Sequence, residues 1–413
     1  MKKLKEGFKK RLITTSGLVI LPLTLVGCGR GDAFTIWLDN DTYGDVMVEA
    51  LSERFPETKF VFENVGAVDS MEKLSLDGPA GNGGEIMLLP SDHLADAVSR
   101  NLLLPLGSGF NGQMQGRIMD AALETVQVGG DYFGVPIATE SIALFYNEDL
   151  LAELGFTPAT TFEELIRQAE SFNNPANNEF LLRWEAGNPY SSQFFLTAFG
   201  YELFGPTHDN GDLINLDTPE VVAGLEFYKT IRDILPVPIA DLDWANTHGA
   251  FVTGTVPYLI SGPWSFDDLH NDADFAWGVS KIPTIKGVQP ITFSGNIIAA
   301  ISAYSEDVDL AREVLAFVTS DEGLQIMFEE RGSIPALIDS SHIEGVGDVE
   351  QIQGILAQAE FSQAMPAIPE MDLFWGATPP MYEAVWEGLL TPAEASMRAQ
   401  ADFEAARDLA RGN

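Results

Sequence analysis

Three aromatic side chains stand beside turns, where a flat ring is well placed to bind a ligand. Trp264 follows a Gly-Pro pair at the end of an apolar stretch, Tyr190 follows an Asn-Pro pair, and Trp375 lies in a segment broken by two prolines, MPAIPEMDLFW (365–375). Aromatic rings at such positions can stack on the C–H faces of a sugar, burying apolar area with little loss of rotamer freedom. Each could instead be a core residue, because Trp and Tyr are partly buried in most proteins.

Carboxylates are acceptors for sugar hydroxyls, and four acids are candidates for this role: Asp41, Asp92, Glu140 and Glu185. Asp41 comes shortly after an apolar strand-like segment, FTIWL (34–38), and Asp92 comes after another, EIMLLP (85–90). Open α/β sheets bind ligands at the carboxyl ends of their strands, which favours a binding role for both. The weaker candidate Glu185 precedes the turn before Tyr190. With 61 acids in the chain, a solvated carboxylate is the competing interpretation for each.

The first part of the chain alternates strands and helices, which indicates how those acids are positioned. FTIWL, KFVFEN (59–64) and EIMLLP read as short buried strands, and residues 42–55 have helical spacing between the first two. This βαβ rhythm predicts a mainly parallel sheet with helices on both faces.

Further along, two extended segments, VPIA and IALFYN, flank Thr-Glu-Ser, which includes Glu140. Thr161 and Glu164 predict a helix with a capping box. TVPYLISGPW (255–264) and ITFSGNIIAAI (291–301) read as apolar strands, and two helices are expected over 307–319 and 320–330. Because prolines interrupt it, residues 365–375 are expected to form a loop at the binding edge.

The N-terminus has the composition of a secretory signal. Within residues 1–27, six Lys or Arg and one acid come first, and the short apolar run LITTSGLVILPLTLVG follows them. Cys28, the only cysteine, follows Leu-Val-Gly, an arrangement that resembles the bacterial lipobox. The alternatives are an N-terminal membrane helix and an unmodified chance cysteine. We expect residues 1–27 to be a signal peptide and 28–33 a linker lipidated at Cys28. In the family with this lipobox the cysteine becomes diacylated, and two acyl chains give stable membrane attachment.

Charge and length restrict the class further. The chain has a net charge of −38, and without residues 1–27 the remainder carries about −43. Such a surface repels nucleic acid, so nucleic-acid binding is excluded as a function class. Residues 28–413 exceed one usual hydrophobic core, so two lobes are expected.

Four segments resemble the extracellular solute-binding proteins of carbohydrate ABC importers, specifically the maltose/maltodextrin-binding type. They are GVPIATESIALFYNEDLL, FVTGTVPYLISGPWS, TSDEGLQIMFEERGSIPAL and MPAIPEMDLFW. The resemblance spans most of residues 28–413 and implies an α/β fold of two periplasmic-binding-protein-like lobes, joined by a hinge, with the ligand cleft between them. It places residues 34–139 and 291–340 in the N-terminal lobe, and 140–290 and 341–413 in the C-terminal lobe.

The same resemblance implies a sugar site and a mode of action. Oligosaccharide would draw the lobes closed, and the closed form would deliver it to ABC permease subunits. The resemblance assigns ligand contacts to Asp41, Asp92, Glu140, Glu185, Tyr190, Trp264 and Trp375. Thr42 and His93 are further candidate ligand contacts. They depart from the subgroup, in which a basic residue often follows each of the first two acids, so the identity of the sugar stays open.

Three alternatives remain. A secreted glycoside hydrolase would need a pair of carboxylates about 5–10 Å apart. A metal receptor on the same fold is disfavoured, because the five histidines are scattered and no cysteine beyond Cys28 exists. A receptor for another oligosaccharide or small solute is the third. We expect no enzyme activity, catalytic residue, metal or cofactor, and a monomer located outside the cytoplasm.

Overall fold

The computed structural model describes residues 33–412, except 348 and 367. The predicted signal peptide and Cys28 lie outside these residues, as does nearly all of the predicted linker. The strands in chain order are β1 (Ala33–Leu38), β2 (Lys59–Asn64), β3 (Ile86–Pro90), β4 (Gln127–Val128), β5 (Asp131–Tyr132), β6 (Val135–Ser141), β7 (Ala143–Asn147), β8 (Leu182–Arg183), β9 (Tyr258–Ser261), β10 (Trp277–Ser280), β11 (Thr292–Ile301), β12 (Ile334–Pro335) and β13 (Ser362–Ala364).

Helices surround these strands. In chain order they are α1 (Asp41–Arg54), α2 (Ala67–Asp77), α3 (Leu94–Ser99), α4 (Ser108–Met114), α5 (Asp120–Glu124), α6 (Glu148–Leu154), α7 (Phe162–Phe172), α8 (Pro189–Ser192), α9 (Phe194–Thr197), α10 (Pro219–Ile231), α11 (Trp244–Val252), α12 (Phe266–Asp272), α13 (Val308–Val318), α14 (Asp321–Arg331), α15 (Glu350–Ala359), α16 (Glu370–Ala377), α17 (Pro379–Trp386) and α18 (Pro392–Ala410). Single 3₁₀ turns add Gly78–Ala80, Ser91–His93, Pro175–Asn177, Ile239–Asp241 and Pro263–Ser265.

The larger sheet has the strand order β12-β6-β11-β3-β1-β2, with β13 beside the start of β11. β1 pairs parallel with β2 and β3, as the βαβ rhythm predicts. β11, however, runs antiparallel to β3 and β6, so the sheet is mixed and not mainly parallel. The reason is topological: β6 leaves this sheet at one edge and β11 returns at the same edge, so the two must run in opposite directions.

The smaller sheet has the order β10-β7-β9-β8. Its lobe has its own apolar core, in which Trp184, Phe195, Tyr228 and Trp386 are fully buried or nearly so. The larger sheet has a separate core that includes Ile36, Leu88 and Ile298. Two cores on two sheets give a two-lobed molecule.

The helix predicted at Thr161 forms as α7, with a modified cap. Thr161 Oγ1 accepts from the backbone N–H of Glu164 at 3.0 Å, as expected. The Glu164 carboxylate accepts instead from the backbone N–H of Thr160, at 2.9 Å, so the return bond lies one residue earlier than in a standard capping box.

The chain passes directly from β6 to β7 at Ile142 and comes back between β10 and β11. Polar contacts bind these crossing segments together. Ser141 Oγ lies 2.9 Å from Thr292 Oγ1 and donates to the carbonyl of Phe293 at 2.9 Å. The fully buried Gln358 of α15 accepts from the Ile282 N–H at 2.9 Å and donates to Thr292 Oγ1 at 3.2 Å. One buried side-chain amide thus ties α15 to the returning segment.

Close packing of α15 on the smaller sheet generates the first prediction. A Cβ placed at Gly354 would lie 2.3 Å from the carbonyl oxygen of Val279 in β10. Gly354→Ala should therefore destabilise the protein by about 1–3 kcal/mol through overpacking. Thermal unfolding followed by circular dichroism measures the effect.

The matched control is Gly249→Ala in α11, where a Cβ would meet no atom within 4 Å. That variant should be neutral or slightly stabilised, because alanine favours helix over glycine by about 1 kcal/mol. Equal melting temperatures for the two variants would contradict the packing argument.

Candidate functional site

The carboxyl ends of β1, β3 and β6 bring three acids to one edge of the larger sheet. Asp39 follows β1 directly, Asp92 lies in the 3₁₀ turn after β3, and Glu140 is the next-to-last residue of β6. Asp92 and Glu140 are buried, with 6% and 9% of their surface exposed. This is the edge at which the chain crosses to the smaller sheet, so the acids face the other lobe.

A continuous row of aromatic rings lies where the smaller-sheet lobe meets the start of β11. The ring of Tyr190 lies 6.0 Å from that of Trp264 and 5.9 Å from that of Phe293, measured between centroids. Phe293 lies 5.6 Å from Trp375. The three predicted aromatics are therefore brought together, with Phe293 of β11 joining them, and both tryptophans are half-buried. We call Trp264, Tyr190, Phe293 and Trp375 the aromatic row.

The backbone at each end of this row explains how the rings are held. Trp264 lies in the 3₁₀ turn after β9, where its ring folds back over Gly262; a Cβ there would lie 2.3 Å from the ring. Tyr190 is in the first turn of α8, where its N–H donates to the Asn188 side chain at 3.0 Å. Both rings are thus fixed by local turn geometry.

Trp375 differs from expectation, because it lies on a helix and not in a loop. α16 begins at Glu370, immediately after the second proline of the segment. Proline breaks a helix in its interior but is tolerated at its start, so Pro366 and Pro369 exclude helix only before residue 370.

The row faces the sheet-edge acids across the lobes. Burial raises the pKa of the Tyr190 phenol well above its ordinary value, and the negative charges of Glu140 and Asp92 raise it further. Trp375 Nε1 donates to Asp92 Oδ2 at 2.9 Å, a direct bond between the lobes. A second such bond joins Asn40 Nδ2 to Asp267 Oδ2 at 3.0 Å.

A pocket of about 440 Å³ opens beside Trp375 in the smaller-sheet lobe. It is lined by Glu185, Gly187, Asn188, Pro189, Ile239, Leu242, Asp243, Trp375 and Pro379. Burial raises the pKa of Glu185; the Asn188 side chain opposes this by hydrogen bonding, and the charge of Asp243 adds to the rise. The pocket therefore combines one aromatic face with two acceptors, and no Lys or Arg lines it.

Asp92 and His93 keep unused hydrogen-bonding atoms. Asp92 Oδ1 and His93 Nδ1 are buried and have no partner among the described residues. His93 Nε2 lies 3.9 Å from Asp92 Oδ2, too far for a hydrogen bond. The Asp92 carboxylate can thus accept from a further donor in addition to Trp375.

Asp41 and Thr42 stand apart from this arrangement. Both are exposed in the first turn of α1, and Asp41 Oδ1 accepts from Asn64 Nδ2 at 2.6 Å. From this loop, Asp39 and Asn40 make the buried and interlobe contacts instead. Asp39 directly follows a strand, so the rule that selected Asp41 could have found it. Arg331, which pairs with both Asp39 and Glu140, gave no signal beyond a basic residue at a helix end.

A further acid lies on the interlobe face of α16. Burial raises the pKa of Asp372 to about 6, and the nearby carboxylates of Asp96 and Asp92 contribute, whereas His93 and Arg100 oppose the rise. Asp372 is half-buried and reaches these groups because α16 packs on the 3₁₀ turn Ser91–His93.

This raised pKa predicts a pH-dependent stability. An unfolded aspartate titrates near 3.9, so the folded protein binds the extra proton more tightly, and stability falls as pH rises from about 4 to about 6. Asp372→Asn should be more stable than wild type at pH 7.5, and the difference should shrink as pH falls through 6. Melting temperatures between pH 4.5 and 7.5 measure it.

Asp45→Asn, an exposed substitution on α1, serves as the control and should show no such convergence with pH. A constant gap between wild type and Asp372→Asn over the whole pH range would rule out titration of Asp372 as the cause.

Residues 33–412, as described, hold no group of three His, Cys, Asp or Glu side chains placed to bind a metal ion. In the same residues, no helix is both long enough and apolar enough to cross a membrane.

Comparison with known proteins identifies the class. The family model of bacterial extracellular solute-binding proteins matches residues 39–325, and the chain belongs to that family. It is 25% identical to a galactooligosaccharide-binding protein of Bacillus subtilis, over 90% of this chain and 91% of that protein. It is 24% identical to a maltooligosaccharide ABC transporter solute-binding lipoprotein of Streptococcus pneumoniae, over 90% and 91%.

A solved structure agrees with this assignment. The fold is similar to the crystal structure of a cyclo/maltodextrin-binding protein complexed with maltotetraose, with a TM-score of 0.74 and 28% identity over 92% of this chain and 98% of that one. The predicted resemblance and the two-lobed α/β fold are both confirmed.

Proposed function

We propose that the protein binds a maltodextrin-like oligosaccharide between its two lobes and delivers it to an ABC permease. The observation that carries this proposal is the aromatic row lying opposite the buried sheet-edge acids. The similar proteins named for maltooligosaccharide and maltotetraose support the same ligand class.

The geometry suits a neutral glycan. Sugar rings present apolar C–H faces that stack on Trp264, Tyr190 and Trp375, and their hydroxyls donate to carboxylates such as Asp92 and Glu185. The acceptors come from both lobes, so a bound sugar contacts both at once. Asp41, Thr42 and His93 belong to the proposed site only as outer contacts, because the first two are exposed on α1.

Contacts to both lobes couple binding to closure. A ligand shifts a conformational equilibrium by its difference in affinity for the two states. The crossing segments tied by Ser141, Thr292 and Gln358 are the proposed hinge. The proposed lobes follow the expected ranges, 34–139 with 291–340 and 140–290 with 341–413, except that Glu140 and Ser141 end β6 and β13 pairs with β11, so these residues belong to the larger-sheet lobe. The closed form then docks on the permease, and neither step requires catalysis or a cofactor.

The proposed location is outside the cytoplasm, with the chain monomeric and held at the membrane by lipid on Cys28. The family is extracellular, and the Streptococcus pneumoniae relative is named as a lipoprotein.

Cys28→Ser should release the protein from the membrane fraction into the medium, because the lipid would have no attachment point. Fractionation with radiolabelled palmitate measures this, and a labelled Cys28→Ser protein would contradict it.

Galactooligosaccharide is the second candidate ligand, favoured by the Bacillus subtilis relative. Calorimetric titration with maltose, maltotriose, cyclodextrins and galactooligosaccharides should show the tightest binding for an α-glucan. Tightest binding of a galactooligosaccharide would replace the proposed ligand and leave the proposed fold and closure intact.

Substitution of Trp375 gives a direct test of the proposed binding site. Trp375→Ala should weaken maltotriose binding by about 1–3 kcal/mol, because both the stacking face and the bond to Asp92 are lost. Trp375→Phe keeps a ring without the indole N–H and should fall between. Calorimetry measures both, and wild-type affinity in Trp375→Ala would remove this tryptophan from the site.

A further inference from the structure

One basic side chain organises the sheet edge from beneath. Arg331, the last residue of α14, donates through Nε and Nη2 to the two carboxylate oxygens of Asp39, each at 2.8 Å. Its Nη1 donates to Glu140 Oε1 at 3.2 Å and also to Ser333 Oγ. The Arg331 side chain is 9% exposed, and those of Asp39 and Glu140 are each 12% exposed.

This buried group of two acids and one base joins three separate parts of the chain. Asp39 follows β1, Glu140 precedes the crossing to β7, and Arg331 ends α14. A bidentate pair between a guanidinium and a carboxylate fixes the plane of both groups, so Asp39 sets the orientation in which Arg331 meets Glu140. The three-residue cluster therefore fixes the direction of the Glu140 side chain.

The charges of the cluster depend on one another. Burial raises the pKa of Glu140 and Asp39 adds to that rise, whereas Arg331 opposes both. Burial lowers the pKa of Arg331, but the carboxylates of Asp39 and Glu140 outweigh it and raise that pKa above its ordinary value. Without Arg331, two carboxylates would share a buried site with no cation, and Glu140 would take up a proton more readily.

Glu140 lies where a ligand would be. Its charge acts on Tyr190 of the aromatic row, which belongs to the opposite lobe. The bond from Arg331 occupies Oε1, so Oε2 remains to accept from a sugar hydroxyl. The hydrogen-bond partners of Arg331 are Asp39, Glu140 and Ser333, and none of these belongs to the aromatic row.

We propose that Arg331 is a positioning residue for the oligosaccharide site, which holds Glu140 as an oriented carboxylate acceptor toward the opposite lobe without touching the ligand itself. This inference rests on the proposed function. The proposed positioning role requires arginine, because lysine offers a single point charge and cannot hold both carboxylates in one plane.

The test is a double-mutant cycle with maltotriose as the titrant in calorimetry. Glu140→Gln removes the acceptor charge, and the Asp39–Arg331 pair remains to preserve the fold. Arg331→Lys keeps the positive charge but loses the orientation. We expect each to weaken binding by about tenfold or more at pH 7, as loss of a charge-assisted hydrogen bond does. The double variant should bind no more weakly than Glu140→Gln alone, because Arg331 acts only through Glu140.

The pH profile separates positioning from general stabilisation. Arg331→Met should bind weakly at neutral pH and tighten as pH rises, since Glu140 then regains its charge. Arg331→Lys should keep the wild-type pH profile at reduced affinity. Glu140→Gln should show no such pH response. A residue that served only folding would change the melting temperature and leave the dissociation constant and its pH profile unchanged.

Arg117→Lys is the matched control, because Arg117 pairs with Asp321, the first residue of the same helix α14, at 2.6 Å. It should leave maltotriose affinity unchanged. Wild-type affinity in Arg331→Lys, or additive losses in the double variant, would overturn the inference alone. Absence of binding by wild-type protein to any glycan would overturn the proposed function and the inference with it. If Arg331→Met does not fold, the Arg331→Lys cycle decides the question by itself.

Discussion

The molecule depends on joining two lobes, each with an apolar core, through a few crossing strands. Each lobe buries aromatic and aliphatic residues of its own, and Phe293 of β11 and Ile334 of β12 also pack into clusters of the smaller-sheet lobe. Directional contacts are needed as well to fix how the crossing segments lie. That task falls to polar contacts at the crossing, where Gln358 and Ser141 join segments far apart in sequence. Hydrogen bonds among buried polar groups are directional, and they hold the crossing segments in register. The junction between the lobes therefore keeps its register.

Acidity is the second constraint on the site. The cleft collects Asp39, Asp92, Glu140, Glu185 and Asp372 in a chain that has 61 acids against 23 Lys and Arg. For Glu140, Glu185 and Asp372, burial and neighbouring carboxylates disfavour the charged form, so the pKa of each is raised. Arg331 pairs with Asp39 and Glu140, and the Trp375 indole donates to Asp92, so three of these acids have a donor. Neutral hydroxyl donors suit the remaining acceptors without adding another buried charge.

Much of this could be predicted from the sequence, and the failures have physical reasons. Strand ends and Gly-Pro or Asn-Pro turns are local signals, and they predicted where Trp264, Tyr190 and Asp92 lie. Their contact with a ligand stays a prediction. The antiparallel course of β11 was missed, because strand direction depends on where the chain re-enters the sheet. The loop predicted at Trp375 was wrong, because proline excludes helix before residue 370 but is tolerated at the start of α16. Arg331 escaped notice because its partners are 191 and 292 residues away.

The course of β11 has a consequence for how the polypeptide acquires its shape. This strand lies in the middle of the larger sheet, between β3 and β6, yet it comes from residues 292–301. The first lobe cannot complete its sheet until about three quarters of the chain is available, and contacts between distant residues form slowly. A polypeptide that is still unfolded can pass through a membrane channel, as secretion in the unfolded state requires. The strand order thus delays completion of the larger sheet until late in synthesis.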